Sequence, residues 1–431
     1  MKIEEITKLL PRGEISRNVV ILTAGTAFGQ GITVVVAPIL TRLYDPSDFG
    51  VSALFTSVVS FFLVAATLRY DWAIPNPDKD ADAINLLMIC FLVTTCVAAL
   101  SLPLMLFFFA QFSKFSNLSL IRPYLWLVPF YIVGGGAYQN LNAWAIRKKS
   151  FTPIAKTRLS QSVTGSVVNI ALGLFRFGPL GLLFGGLASH TAGIGTLGRL
   201  LWNNDRTLIN GIRKENVVSW FKHYLKFAVL STGQAIVNTA SLQITTILLM
   251  TYFEASVAGW YYLAQRIISI PTGLIGQAAG QTFWAEAAQL IRKDPKELKR
   301  LFLKFSRKLG ALSLVIALLG IASPLLFGFV FGSEKWNMAG RYALYLTPMV
   351  MAQFIVGTLT HLGVHELQNW HLTWDTCRVA LILLCFWTAH KLEWTVSTTL
   401  LAYSLMMSGT YWVLYVLNIR AIEIKIRAFY G

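Results

Sequence analysis

The sequence predicts an all-α integral membrane protein of about twelve transmembrane helices in two six-helix lobes. Three observations carry this expectation. Of 431 residues, 55% are hydrophobic and only 13% charged, with a mean hydropathy of +0.58; a soluble domain of that composition has too little polar surface to cover its core. Residues 18–41 and 49–68 contain no charged side chain, and each is long enough for the roughly 20 residues that cross about 30 Å of hydrocarbon. Finally, a shift of 209 positions lays "ILTRLYDPSDFGVSAL" (residues 39–54) without a gap on "LLMTYFEASVAGWYYL" (residues 248–263).

The same length criterion places spans near 18–41, 49–69, 84–110, 123–145, 153–175 and 179–200, then near 224–250, 256–283, 306–331, 342–363, 373–390 and 395–417. The opening "MKIEEITKLLPRGEISRN" mixes both charge signs without an apolar run, unlike a cleavable signal. The expected organisation is therefore a cytoplasmic segment 1–17, an amino-terminal lobe 18–200, a basic cytoplasmic linker 201–223, a carboxy-terminal lobe 224–417 and a cytoplasmic tail 418–431.

The shifted stretches agree where a turn needs particular residues: Tyr44 over Phe253, Asp45 over Glu254, Ser47 over Ser256, Gly50 over Gly259 and Leu54 over Leu263. Asp45 and Pro46 suit a chain reversal, Ser47 or Asp48 supplies an oxygen to the free amides of the next helix, and Gly50 permits close packing. The recurrence implies two halves related by a parallel repeat.

A net charge of +17 invites a nucleic-acid reading, but the charges fall between spans and on alternate sides. With the amino terminus inside, 28 of the 37 Lys and Arg lie on inside segments and 7 outside, so both termini are expected in the cytoplasm. Cys90, Cys96, Cys377 and Cys385 sit in apolar spans and read as small hydrophobes. His361 and His365 have i, i+4 spacing without an HExxH pattern, so neither metal nor cofactor is expected. Without a GxxxxGK[S/T] phosphate loop, a Ser/His/Asp set or an outside loop longer than about 111–122, the chain reads as a secondary transporter and not as an enzyme.

The path residues follow from polarity at membrane depth. The first span carries Thr23, Thr26, Gln30 and Thr33, and the seventh carries Gln234, Asn238, Ser241 and Gln243. Polar groups facing lipid are expensive, so they are expected to face water or another helix, and the stripe suits sugar hydroxyls. Arg266 lies about ten residues into its span, or roughly 15 Å deep, and is the expected contact for an anionic substrate. Arg69, which with Asp71 ends the second span, is a candidate for substrate entry; Arg378, near enough to a span end to snorkel, ranks below Arg266 and Arg69 as a substrate contact; Arg17 and Lys226 are expected at a cationic cytoplasmic mouth. Asp71 and Glu286, at corresponding inner ends of spans two and eight, are the acids available for ion coupling. Pro38 and Pro271 are expected kinks, and residues 134–136 with Gly181 and Gly185 are expected packing surfaces.

The run "RNVVILTAGTAFGQGITVVVAPILTRLYDPSDFGVSALFTSVVSFFLVAATLRYDWAI" followed by "DADAINLL" resembles the polysaccharide transporter branch, the O-antigen flippase type, of the multidrug/oligosaccharidyl-lipid/polysaccharide exporter superfamily. The resemblance implies a V-shaped pair of lobes in the bacterial inner membrane. It also implies translocation of an undecaprenyl-diphosphate-linked oligosaccharide to the periplasmic leaflet, coupled to H+ or Na+. On that reading Arg69 falls in the "RY[DE]xAI" phrase, and Arg266 occupies the lumenal cationic position that such flippases use for the diphosphate. The implied partners are the lipid-linked oligosaccharide, the bilayer and polysaccharide polymerase machinery, with the protein acting as a monomer and no nucleic acid involved. A drug or metabolite cation antiporter of the same superfamily is the alternative, which the scarcity of midplane acids disfavours. The segment "HELQNWHLTWDTCR" departs from any phrase of the family.

Overall fold

The computed structural model describes residues 14–112, 116–332, 334–360 and 368–430, and among them all elements are helical, with no strand. In chain order they are α1 (Glu14–Leu43), α2 (Pro46–Ala65), α3 (Asp80–Phe112), α4 (Val128–Arg147), α5 (Phe151–Leu174), α6 (Pro179–Thr191) and α7 (Ile194–Asn210). There follow α8 (Lys214–Tyr252), α9 (Ala255–Ile268), α10 (Gln277–Lys293), α11 (Pro295–Phe331), α12 (Asn337–Ala352), α13 (Gln368–Lys391) and α14 (Val396–Tyr430).

Among the described residues the stretches expected to cross the bilayer are mostly helical, and nine segments are long and apolar enough to do so. The chain is a multi-pass membrane protein. The other three predicted spans differ for identifiable reasons. The first half of α5 is polar, with Lys156, Thr157, Arg158, Ser160 and Gln161. The rods holding α9 with α10, and α12 with the residues after it, are interrupted by wide turns at Thr272–Gly276 and Gln353–Gly357, where the hydrogen bonding is of π type. Pro271 stands immediately before the first of these, and its missing N–H removes a rung of the helical ladder. Pro38 sits inside α1, which continues past it to Leu43.

The chain forms two compact units: residues up to Leu43 with Phe55–Ile236, and Tyr44–Leu54 with residues from Val237 onward. In the first, α1 lies along α5, α5 packs on α6, and α3 packs on α4. Tyr70 is fully buried, its ring stacked on Phe221 and its hydroxyl donating to the Phe221 carbonyl at 2.9 Å. Arg147 ties down the adjoining loop: its Nε meets Asp80 at 2.8 Å, and its Nη1 reaches the carbonyls of Ile74 and Pro77 at 3.1 and 2.7 Å. Lys148 then bridges Asp80 and Asp205, which also accepts from the Trp144 indole at 3.0 Å. The expected packing role of residues 134–136 holds, since side chains at Gly134, Gly135 and Gly136 would run into Thr191, Leu63 and Thr94.

In the second unit α11 packs on α12, α12 on α9 and α14, and α13 on α14. Helix starts are marked as the sequence suggests: Asp294 accepts from the amides of Lys296 and Glu297 ahead of Pro295. At the opening turn the Asp48 carboxylate reaches back to the Asp45 amide at 3.0 Å, the reciprocal arm of a capping box. The two copies of the repeated turn then meet each other. A Cβ on Gly50 would overlap the Ala255 carbonyl, and one on Gly259 would overlap that of Pro46. Pro46 and Ala255, like Gly50 and Gly259, correspond under the 209-residue shift, so the contact is self-complementary.

Candidate functional site

The second unit holds an open cavity of about 820 Å³ lined from α8, α10, α13, α14, both wide turns and Ser269, which follows α9. Its wall mixes apolar surface with uncharged hydrogen-bonding groups: Asn238, Gln277, Gln281 and Gln353 bring amides, and Trp284 and Trp374 bring indoles. The wide turns contribute to this wall directly: Gln277 follows the first, and Gln353 opens the second.

Among the described residues, the one full positive charge on that wall is Arg378, which is 3% exposed. Ten residues separate it from the start of α13, which puts it roughly 15 Å along the helix. The expectation that Arg378 snorkels to the interface is therefore not met. Its Nη2 bonds Asp375 Oδ1 at 2.9 Å and also donates to Ser241 Oγ; Nη1 faces the Tyr411 hydroxyl at 3.3 Å; and the guanidinium lies 4.4 Å from the centre of the Trp374 ring. Asp375 is completely buried. An ion pair placed this deep adds little to stability, because desolvation offsets the attraction. It does place a strong oxyanion donor at the edge of a polar chamber.

Of the other sequence-predicted residues, Asn238 joins this wall, its amide oxygen 3.5 Å from Arg378 Nη2. Arg266 is exposed in the last turn of α9, with Tyr262 as its hydrogen-bond partner at 3.1 Å, and is not among the residues lining the cavity. Lys226 is exposed on α8, and Gln234 is half-buried on the same helix. Gln30 is half-buried on α1, its amide oxygen without a hydrogen bond. Thr26 and Thr33 donate to the carbonyls of Leu22 and Gly29 in their own helix, which satisfies part of the expected polar stripe locally. The side chain of Arg17, and His361 and His365, lie outside the described residues.

Arg69 and Asp71 belong to a second, smaller feature in the first unit. Arg69 adopts a left-handed backbone, φ 61°, and its guanidinium sits 4.6 Å over the Trp72 ring. Asp71 accepts from Thr67 at 2.6 Å and lines a cavity of about 300 Å³ with Gln139 and Asn142. Burial pushes the Asp71 carboxyl above its ordinary value, against the pull of Thr67 and Arg69. Glu286, its expected counterpart, is exposed on α10.

The sequence reading missed the Asp375–Arg378 pair as a unit. The signal was present: His371, Trp374, Asp375 and Arg378 recur at i, i+3, i+4 and i+7, one stripe of a helix.

Residues 39–340, more than half of the chain, match the family described as "Polysaccharide biosynthesis protein". The chain belongs to this family. The resemblance read in its first ninety positions is thereby borne out. Among curated relatives, this polysaccharide biosynthesis protein is 24% identical over 353 residues to the succinoglycan biosynthesis transport protein ExoT of Rhizobium meliloti, covering 78% of this chain and 67% of that one. Solved structures share its fold. One is described as an inward-facing conformation of a multidrug resistance MATE family transporter of the MOP superfamily, with TM-score 0.64 at 14% identity over 94% of this chain and 96% of the other. Another is the Vibrio cholerae MATE transporter VcmN in the bent form, with TM-score 0.54 at 14% identity over 95% and 97%.

Proposed function

We propose that this family member is a flippase. It carries an undecaprenyl-diphosphate-linked oligosaccharide, an O-antigen or other surface-polysaccharide repeat unit, across the bacterial inner membrane by alternating access, driven by H+ or Na+. The observation that carries the reading is Arg378, a buried guanidinium at membrane depth on a wall of amides and indoles. The diphosphate meets Arg378 and Asn238, and sugar hydroxyls meet the amides of Gln277, Gln281 and Gln353, with Trp284 under an apolar sugar face. The transport role in the name of the Rhizobium relative and the MATE-type fold support it.

The remaining parts belong to the same proposal. Arg266 is a second diphosphate contact, Arg17, Arg69 and Lys226 are entry cations, and Gln30 and Gln234 are sugar contacts. Asp71, half-buried at its own small cavity, is the coupling acid, with Glu286 its exposed counterpart. Six-helix lobes over 18–200 and 224–417, joined by a linker at 201–223, leave both termini cytoplasmic. A cation antiporter would use an acid whose charge is free to meet the cargo, whereas Asp375 is engaged by Arg378 at 2.9 Å.

The test is reconstitution. Liposomes carrying labelled undecaprenyl-diphosphate oligosaccharide in one leaflet should equilibrate it across the bilayer faster with the native protein than without it. No acceleration with any lipid-linked glycan, together with export of organic cations, would favour the antiporter.

A further inference from the structure

We propose that His371, Asp375 and Arg378 form a proton-switched anion site, in which a protonated His371 takes up Asp375 and so hands the charge of Arg378 to the diphosphate of the lipid-linked substrate. This rests on the flippase reading for the identity of the anion, and on geometry for the switch.

The buried Asp375 carboxylate is half used. Oδ1 accepts from Arg378, whereas Oδ2 carries no hydrogen bond and lies 3.9 Å from His371 Nδ1. That gap is too long for a hydrogen bond, yet it is closed by a small rotation of an imidazole one helical turn away. His371 lines the cavity, with its ring stacked at 12° to that of Trp374, whose indole also carries Arg378. Arg378 Nε has no hydrogen bond either. The stripe thus holds a carboxylate with one oxygen to give and two cationic side chains placed to take it.

Charge counting gives the switch. With a neutral imidazole, Asp375 cancels Arg378 and the wall presents no net charge to an anion. A proton from cavity water makes the cluster net positive by one; Asp375 is then shared, and Arg378 is available to an oxyanion. A net charge at this depth is costly unless matched, so proton and anion each raise the affinity for the other. Among the described residues, the groups packed around the cluster do not substitute for His371. Asn238 and Ser241 of α8 are uncharged, and the ionisable neighbours Tyr411 and Tyr403 of α14 and Tyr261 of α9 are phenols. Among the described residues lining the cavity, His371 is the one imidazole, the side-chain type that can take up a proton near neutral pH.

The probe is sulfate, which stays dianionic over this range, added to the full chain in phosphatidylcholine nanodiscs and followed by calorimetry in two buffers of different ionisation heat. Binding should tighten about tenfold from about pH 8 to about pH 5.5, with about one proton taken up per sulfate. His371→Gln, at a partly exposed position, should bind sulfate without the pH step or the proton uptake. Asp375→Asn, if it folds, should bind more tightly than native at the higher pH. A native affinity that ignores pH, or a His371→Gln protein that keeps the native step, would overturn the switch. Farnesyl diphosphate should displace sulfate better than inorganic pyrophosphate does; equal displacement would overturn the lipid headgroup in favour of a soluble oxyanion. No lipid-linked glycan enters this experiment, so its failure and that of the transport assay are read separately.

Discussion

Gly50 and Gly259 face each other across the second unit's helix starts so closely that a side chain on either would strike the backbone that precedes the other, at Ala255 and Pro46. Each glycine occupies the position that the 209-residue repeat assigns to its partner. A repeat visible as a handful of matched letters is therefore also a physical contact, and Gly at both positions is explained by backbone approach. Gly50→Ala or Gly259→Ala should destabilise the protein by about 1–3 kcal/mol as the helices are forced apart. The double variant should cost less than the two single changes added together, because the first has already opened the contact. Thermal unfolding in detergent measures this, with Gly310→Ala, which meets open space, as a control expected to be near neutral or stabilising.

Arg147 is a structural cation in the first unit. Its side chain is 9% exposed and satisfies the carbonyls of a loop that carries no ladder of its own. Arg147→Ala should cost about 2–4 kcal/mol, since it orphans buried carbonyls as well as one side of the Asp80 pair. Unfolding should show the loss, and limited proteolysis should cut earlier between Ile74 and Asp80.

Asp71 predicts a pH dependence with a definite sign. Because burial raises its carboxyl in the folded protein, the folded state holds that proton more tightly than the unfolded chain. Its contribution to stability is fully present below the unfolded carboxylate value of about 4 and is lost as pH rises through the folded one. Asp71→Asn should flatten that decline in a melting series. For coupling, an Asp71→Asn, Glu286→Gln double variant whose transport keeps the native pH dependence would remove both acids from that role.

Much of the fold was legible because membrane spans are read by length and polarity alone. The helices of α2, α3, α11 and α14 stand where unbroken apolar runs put them. What stayed hidden depended on neighbours. The wide turn after Pro271 had a marker in sequence, whereas the one at Gln353–Gly357 had none. Arg378 looked like a charge near a helix end, whereas α13 buries it against Asp375. Arg266 showed the reverse: its depth along the helix was readable, but the direction in which it points was not, and it is exposed.

The central claim is that a buried guanidinium in the second unit receives the diphosphate of a lipid-linked glycan. Its most direct test is the initial rate of undecaprenyl-diphosphate oligosaccharide transport in proteoliposomes by the native protein, Arg378→Lys, Arg378→Ala and Arg266→Ala at matched folded levels. The account predicts that native protein transports, that Arg378→Ala falls at least about tenfold, consistent with loss of a charged hydrogen bond of about 1.5–3 kcal/mol, and that Arg378→Lys recovers part of the rate. Native transport that survives Arg378→Ala unchanged while Arg266→Ala abolishes it would contradict the claim and move the diphosphate site to α9.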